Sequence, residues 1–414
     1  MQMKAPIRQV LSSERLFFLS YGIMMFFGIL STSFYYKYFA GTPYKAIIVF
    51  FTALPAVREL VIRHNIKKDL VSGLICFLAF ALTVRMRTSV AQLAAAATFA
   101  FIFYARNISF EKIAKFTIGI TSITVAFVII SSFIGLIDHY IMIDTAGGMK
   151  TYRVTLKNMG EVMGLVQGAS RIRAYLGFRY ALYAPNFVSN IIMLVIYCRK
   201  NTIKWKELLI LFLVNLGMFV LTDARLSFCL TTVFLFLAAV LKVFPDFLEK
   251  RNILCYLMTA SFCICFVLSI QMAVHYDPSV EWQRTLNSLL GRRLEFSNRS
   301  LCKYGVSWFG EEITWVGFGL DMYGQQNPDS YLYVDNLYMQ IIQHYGSVFT
   351  GLILILFTAA LSKCHEKKNY YLMLCLVLVA GHGVIDDLIL HLHYNTFWLA
   401  IGTSLFRTSC GEEG

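Results

Sequence analysis

The sequence predicts an all-α polytopic membrane protein of about twelve transmembrane helices, and three observations carry that prediction. Of its 414 residues, 57% are hydrophobic and 15% charged, whereas a soluble domain carries about 25% charged and 45–50% apolar residues. The apolar residues come in long blocks, and a span needs about 20 of them to cross the hydrocarbon core. Lys and Arg then concentrate on alternate connections, as the enrichment of short cytoplasmic loops in positive charge requires.

Twelve spans fit: 16–34, 46–62, 70–84, 88–105, 116–137, 180–198, 207–222, 225–242, 253–274, 337–361, 370–386 and 389–406. The third is short, and polar residues interrupt the last two. One set of connections holds Arg63, Lys67, Lys68, Arg106, Lys112, Lys115, Arg199, Lys200, Lys204, Lys206, Lys242, Lys250, Arg251, Lys363, Lys367 and Lys368. The opposite short connections hold only Lys37, Lys45, Arg85, Arg87 and Arg225. The first set belongs inside, which puts both termini in the cytoplasm and leaves two long external segments, 138–179 and 275–336, on one membrane domain spanning 1–414.

Composition also excludes several classes. The net charge of +13 is largely orientation charge, so no nucleic-acid partner is implied. The ten cysteines are scattered and form no C-x-x-C, so neither a zinc site nor a redox pair is indicated. No phosphate-binding G-x-x-x-x-G-K-[ST] occurs, which argues against an ATP-driven pump. No cleavage site follows the first apolar block, which reads as a retained span and not a signal peptide.

The external segments carry the functional signal. The first holds Lys150, Arg153, Lys157, Arg171, Arg173 and Arg179 against Asp138, Asp144 and Glu161. In the second, residues 284–303 hold Arg284, Arg292, Arg293, Arg299 and Lys303 against Glu295, and residues 304–336 hold acids only. The forked donors of Arg match phosphate geometry, although basic residues beside a membrane also attract anionic headgroups. Residues 279–290 read as an amphipathic surface helix with Trp282, Leu286, Leu289 and Leu290 on one face, ended by Gly291. Such a helix delivers Arg292 and Arg293 to headgroup depth. The aromatic residues around Trp315 either stack on sugar rings or form the small core of the segment.

Ionisable and polar groups at the spans add candidates, since charge inside a membrane defaults to a functional hypothesis. Asp223 and Arg225 share the turn between the seventh and eighth spans, as a local pair or a site at the mouth. Asn336, Gln340, Gln343 and Ser347 form one helical stripe with His344 beside it, lining either a cavity or a helix contact. His382, Asp386, Asp387, His391 and His393 read as a metal cluster or, more simply, as a polar re-entry; adjacent aspartates and histidines on different faces disfavour metal.

These residues group into motifs: Arg179-Tyr180-Ala181-Leu182-Tyr183-Ala184-Pro185-Asn186, Thr222-Asp223-Ala224-Arg225, Gly291-Arg292, Trp315-Val316-Gly317-Phe318-Gly319 and Asp335-Asn336 with Gly346 beyond it. In order along a twelve-span chain, they resemble the bacterial O-antigen and capsular polysaccharide polymerases, relatives of the O-antigen ligases. The resemblance implies a GT-C-like fold in the bacterial cytoplasmic membrane with its site facing outside. It implies polymerisation of oligosaccharide repeat units carried on undecaprenyl pyrophosphate, without metal or other cofactor. Membrane lipids, a flippase and a chain-length regulator are the implied partners. Asp335 stands where the ligases carry a histidine base, so it is the candidate base, with His344 second; a carboxylate can take a hydroxyl proton within hydrogen-bond reach. Arg292 is the expected catalytic cation, because stabilising developing charge is usually the largest catalytic term. Arg225, Arg293, Arg171, Arg173, Arg179, Asn336 and Trp315 are the expected substrate-binding residues. A ligase-like transfer to another acceptor, or a polysaccharide flippase or exporter, are the alternative readings.

Overall fold

The computed structural model describes residues 14–61, 66–85, 90–145, 148–155, 157–327 and 330–407. Arg63 and Arg87 of the orientation set, the span limits expected at 62 and 88, and both chain ends lie outside the described residues.

The chain is mostly helical. The first five helices are α1 Glu14–Leu30, α2 Thr42–Val61, α3 Ile66–Val84, α4 Val90–Ala105 and α5 Phe110–Phe133. Then come α6 Met159–Gln167, α7 Tyr183–Arg199, α8 Trp205–Thr222, α9 Arg225–Val243, α10 Asn252–Thr259 and α11 Ser261–Val274. The remainder are α12 Glu281–Leu289, α13 Arg293–Tyr304, α14 Leu337–Glu366, α15 Tyr370–Gly383 and α16 Trp398–Leu405. Four of these, α5, α8, α9 and α14, are long and apolar enough to cross a membrane, and α10 with α11 makes a fifth when the pair, bent by 58°, counts as one span.

Small residues accompany close packing around α4. The run Ala94-Ala95-Ala96-Ala97 in α4 lets α3 and α16 lie against it, and Gly402 of α16 sits so near the Ile102 carbonyl that a Cβ there would come within 2.1 Å of its oxygen. Trp398, Phe357 and Phe99 form an aromatic cluster where α16, α14 and α4 meet. This core is continuous through the helices.

Two expectations are corrected. The chain is not purely helical: the segment 138–179 carries a three-stranded antiparallel sheet in the order β2-β1-β3. Its strands are β1 His139–Thr145, β2 Gly148–Val154 and β3 Arg171–Ala174, with Met142 opposite Arg173 and Asp144 opposite Arg171. Tyr140, Met142 and Ile143 of β1 are buried; successive residues point to opposite faces of a strand, so β1 is covered on one face and, at Ile143, on the other as well. The block 389–406 is also not one continuous helix. A short 3₁₀ turn Leu388–Leu390 precedes an irregular stretch, and α16 starts only at Trp398. Asn395 explains the break, because its side chain bonds the Ile389 carbonyl and the Phe397 amide and so competes with helical pairing.

The long segment 275–336 is held to the helices by backbone contacts. In α14 the residues Ile341–Tyr345 form a π-helical turn, which leaves main-chain groups free for other partners. Gln343 O accepts from Glu311 N at 3.1 Å, and Ser347 N donates to Ser307 O at 3.0 Å. Gly346, at φ +88, packs backbone to backbone on Gly310, where any Cβ would lie within 2.3 Å of the Gly310 nitrogen. The polar stripe of α14 therefore bonds mainly to the long segment, at Ser300 of α13 and at non-helical residues beside it. Gln343 bonds Ser300 and Gly305, Gln340 bonds the Val334 carbonyl, and Ser347 bonds Ser307.

Candidate functional site

Two adjoining chambers lie where the 138–179 sheet, the α8–α9 turn, the α12–α13 corner and the 384–388 turn converge. The first, about 150 Å³, is basic. Strand β3 contributes Arg171 and Arg173, which two-residue alternation puts on one face. The α8–α9 turn adds Asp223, in the left-handed conformation at φ 47, and Arg225. Gly291 and Arg293 come from the corner between α12 and α13. Helix α12 is amphipathic as the sequence predicts, with Trp282 and Leu289 exposed and Asn287 buried, and Gly291 at φ +64 makes the turn after it.

Asp223 is the counter-ion of this chamber. It takes Arg171 through an ion pair and Arg225 at 3.0 Å. Burial pushes its carboxyl up, but the hydrogen bonds from the two arginines together outweigh that and hold it below the ordinary carboxylate value. Arg225 keeps 65% of its side chain exposed. Arg173 differs: it makes no ion pair among the described residues, and its buried Nε has no hydrogen-bond partner. Burial lowers its pKa accordingly. Asp223 and Asp335 attract Arg173 from beyond ion-pair distance, and a half-buried cation without a direct counter-ion favours an anion beside it.

The second chamber, about 270 Å³, is aromatic and acidic. Tyr180 and Tyr183 come from the approach to α7, Trp315 from the long segment, and Tyr331, Tyr333 and Asp335 from the stretch before α14. Asp386 and Asp387 enter from the turn after α15. The Trp315 indole is steadied by donating to Ser300 Oγ at 3.1 Å, and Phe318 stacks on Tyr331 with centroids 4.3 Å apart. Asp387 accepts from the Tyr333 hydroxyl at 2.8 Å. Its pKa is raised by burial, and further by Asp386 and Asp335. Asp386 is held by Asn186 at 2.7 Å and by the Leu388 amide at 2.8 Å.

The chambers share Leu182 and Asp386 as wall residues. One ion pair also links them: Arg293 Nη2 on the basic side lies 3.2 Å from Asp335 Oδ2 on the acidic side. Asp335 keeps 20% of its side chain exposed. Burial raises its carboxyl to about 6 against the opposing pull of Arg293, close to where a general base works best.

The structure thus brings together Asp335, Arg293, Arg171, Arg173, Arg225 and Trp315. Four other expected residues lie apart from both chambers. Arg292, 60% exposed, is turned back on Glu295 through bonds of 2.9 and 2.7 Å. Arg179 donates to the Ser31 carbonyl at 2.7 Å and covers the Tyr36 ring, tying the segment to α1. Asn336 caps α14 through the Met339 amide and bonds Ser269 and the Val384 carbonyl. His344 lies within the π turn, buried, with its Nε2 2.6 Å from the Gln92 side-chain nitrogen and its ring against Tyr345 and Trp315. Conversely, Asp386 and Asp387 line the acidic chamber, and the signal for them is ionisable side chains at the edge of an apolar span.

Among the described residues, no group of three His, Cys, Asp and Glu side chains is placed to hold a metal ion. A larger cavity of about 420 Å³ lies between α2, α3 and α4, with no charged group in its walls and no wall residue in common with either chamber. The paired chambers can hold an anion beside an apolar-faced, hydroxyl-bearing ring, with a carboxylate at their junction. No protein-family model, curated protein or solved structure matches the chain.

Proposed function

We propose that the chain is a glycan polymerase that joins oligosaccharide repeat units carried on undecaprenyl pyrophosphate at the outer face of the bacterial cytoplasmic membrane. In this reading twelve spans, some of them broken, hold the two chambers at the outer surface, with both termini in the cytoplasm. The observation that carries the reading is the junction of a guanidinium-lined chamber with an aromatic, carboxylate-lined one. Guanidinium groups match the pyrophosphate of a donor. Tyrosine and tryptophan faces match the apolar face of an acceptor sugar.

The chemistry follows from that placement. Asp335 takes the proton of the acceptor hydroxyl. The freed oxygen forms a bond to the donor's anomeric carbon, and the bond from that carbon to the pyrophosphate oxygen breaks. The electron pair leaves with the lipid pyrophosphate, and Arg171, Arg173, Arg225 and Arg293 stabilise its added charge. Pyrophosphate is a good leaving group, so no protonation of it is needed.

Deleting the protein should leave single repeat units on lipid and no long chains. Arg173→Gln and Asp335→Asn, at unchanged expression, should each lower polymer at least about 100-fold, the scale of losing a charge-stabilising or proton-transfer group. Wild-type chain length in either variant would remove that residue from the mechanism. Long polymer accumulating on undecaprenyl pyrophosphate after deletion would indicate a ligase. Lipid-linked units confined to the inner leaflet would indicate transport.

A further inference from the structure

The ion pair at the junction has an unusual division of its donors. Arg293 Nε donates to the Ile385 carbonyl at 2.7 Å, and Nη1 donates to the Leu290 carbonyl at 2.8 Å. Those two bonds anchor the guanidinium to the chamber walls and leave Nη2 to face Asp335 at 3.2 Å. The same guanidinium lines the basic chamber beside Arg173, which makes no ion pair among the described residues. An anion drawn in by Arg173 therefore competes with Asp335 for one nitrogen of Arg293.

We propose that Arg293 couples the chambers: an anionic pyrophosphate in the basic chamber takes Nη2 of Arg293 from Asp335 and frees that carboxylate to act as base. The inference rests on the polymerase reading and adds an order to it. Proton removal from the acceptor then waits for the donor, which suppresses unproductive deprotonation.

Other charged and titratable groups also face Asp335. Arg173 draws its pKa down, whereas Asp386 pushes it up. Asp387, Tyr180, Tyr331 and Tyr333 interact with it as well. Of these neighbours, Arg293 is the cation in direct contact. An opposite charge at this range typically lowers a carboxyl by about 1–3 pH units. Engaging Arg293 elsewhere should restore much of that.

The test uses the full chain in lipid nanodiscs, with inorganic pyrophosphate as the probe. Infrared difference titration of isotope-labelled aspartate, assigned with Asp335→Asn, reads the protonation midpoint of Asp335, and calorimetry reads pyrophosphate binding. Pyrophosphate should raise the wild-type midpoint by about one pH unit, the lower end of that range. In Arg293→Gln the midpoint should start high and not respond. Arg293→Lys keeps the charge without the fork and serves where the glutamine variant does not fold; its midpoint should start above wild type and respond less. A wild-type midpoint unmoved by bound pyrophosphate overturns the coupling and leaves the polymerase reading intact. A full response in Arg293→Gln also overturns it, because the effect would then come from the phosphate charge through space. No pyrophosphate binding at all overturns the pyrophosphate chamber, and the coupling with it.

Discussion

Replacing Asp335 with asparagine should make the protein inactive and more stable. The Asp335 carboxyl is moved from its ordinary 3.8 to about 6, chiefly by burial. One pH unit corresponds to about 1.4 kcal/mol, so ionised Asp335 costs the folded state on the order of 3 kcal/mol. The direction follows from linkage. The folded pKa lies above the unfolded one, so the fold is favoured below about 4, where both states are protonated, and stability falls as pH rises through about 6. Above that the full cost is present. Asparagine keeps the shape and an acceptor for Arg293 but carries no charge to desolvate. Thermal unfolding in detergent, followed for both proteins at pH 4 and pH 8, should show near-equal midpoints at the lower pH. At the higher pH the variant should melt several degrees above wild type. A variant less stable than wild type at pH 8 would refute the argument, because Asp335 would then be a structural partner of Arg293. Gain of stability with loss of activity is the pattern of a residue kept for function.

Two further outcomes follow from the geometry. Arg292→Ala should leave chain length within about twofold of wild type and change stability by under about 1 kcal/mol, since the Arg292 side chain is exposed and engages local partners, Glu295 and the Phe296 ring, at its own helix start; polymer length in cells checks the first and thermal melts the second. Gly346→Ala should prevent accumulation of folded protein, because φ +88 and a backbone neighbour at 2.3 Å leave no room for a methyl group. Size-exclusion profiles of the detergent-extracted variant test this, and a monodisperse wild-type-like peak would contradict it.

What could be read in advance divides along a physical line. Helix α12 and its end at Gly291 were legible because amphipathic spacing and a glycine stop are local properties. The arginines Arg171 and Arg173 are visible as charge, but their common face depends on a strand whose pairing with β1 no local pattern shows. The stripe of α14 was recognised, yet whether it lined a cavity depended on Ser300, Gly305 and Ser307, whose approach no spacing reveals. His344 is the second candidate base by sequence, and the contact of its Nε2 with Gln92, 252 residues away, is one that no local pattern shows. Asp386 and Asp387 were set aside as a polar re-entry. Their place in a chamber depends on α15 ending at Gly383 and on Tyr333 reaching them across the molecule. Local order was readable; convergence of distant segments was not.

The backbone seam between Gly310 and Gly346 has one more consequence. The stretch from Glu311, fastened to the π turn of α14, ends at Asp335, two residues before that same helix begins. Both ends of the excursion are thus anchored on one rod, and it carries Trp315, Phe318, Tyr331 and Tyr333 between them. The excursion is also tied to the arginine side: Leu320 N donates to the Arg179 carbonyl at 2.9 Å, and Gly324 lies against the Tyr140 ring of β1, the strand paired with the one that bears Arg171 and Arg173. It therefore acts as a strap between α14 and the sheet, and a change in its length would shift both chambers together.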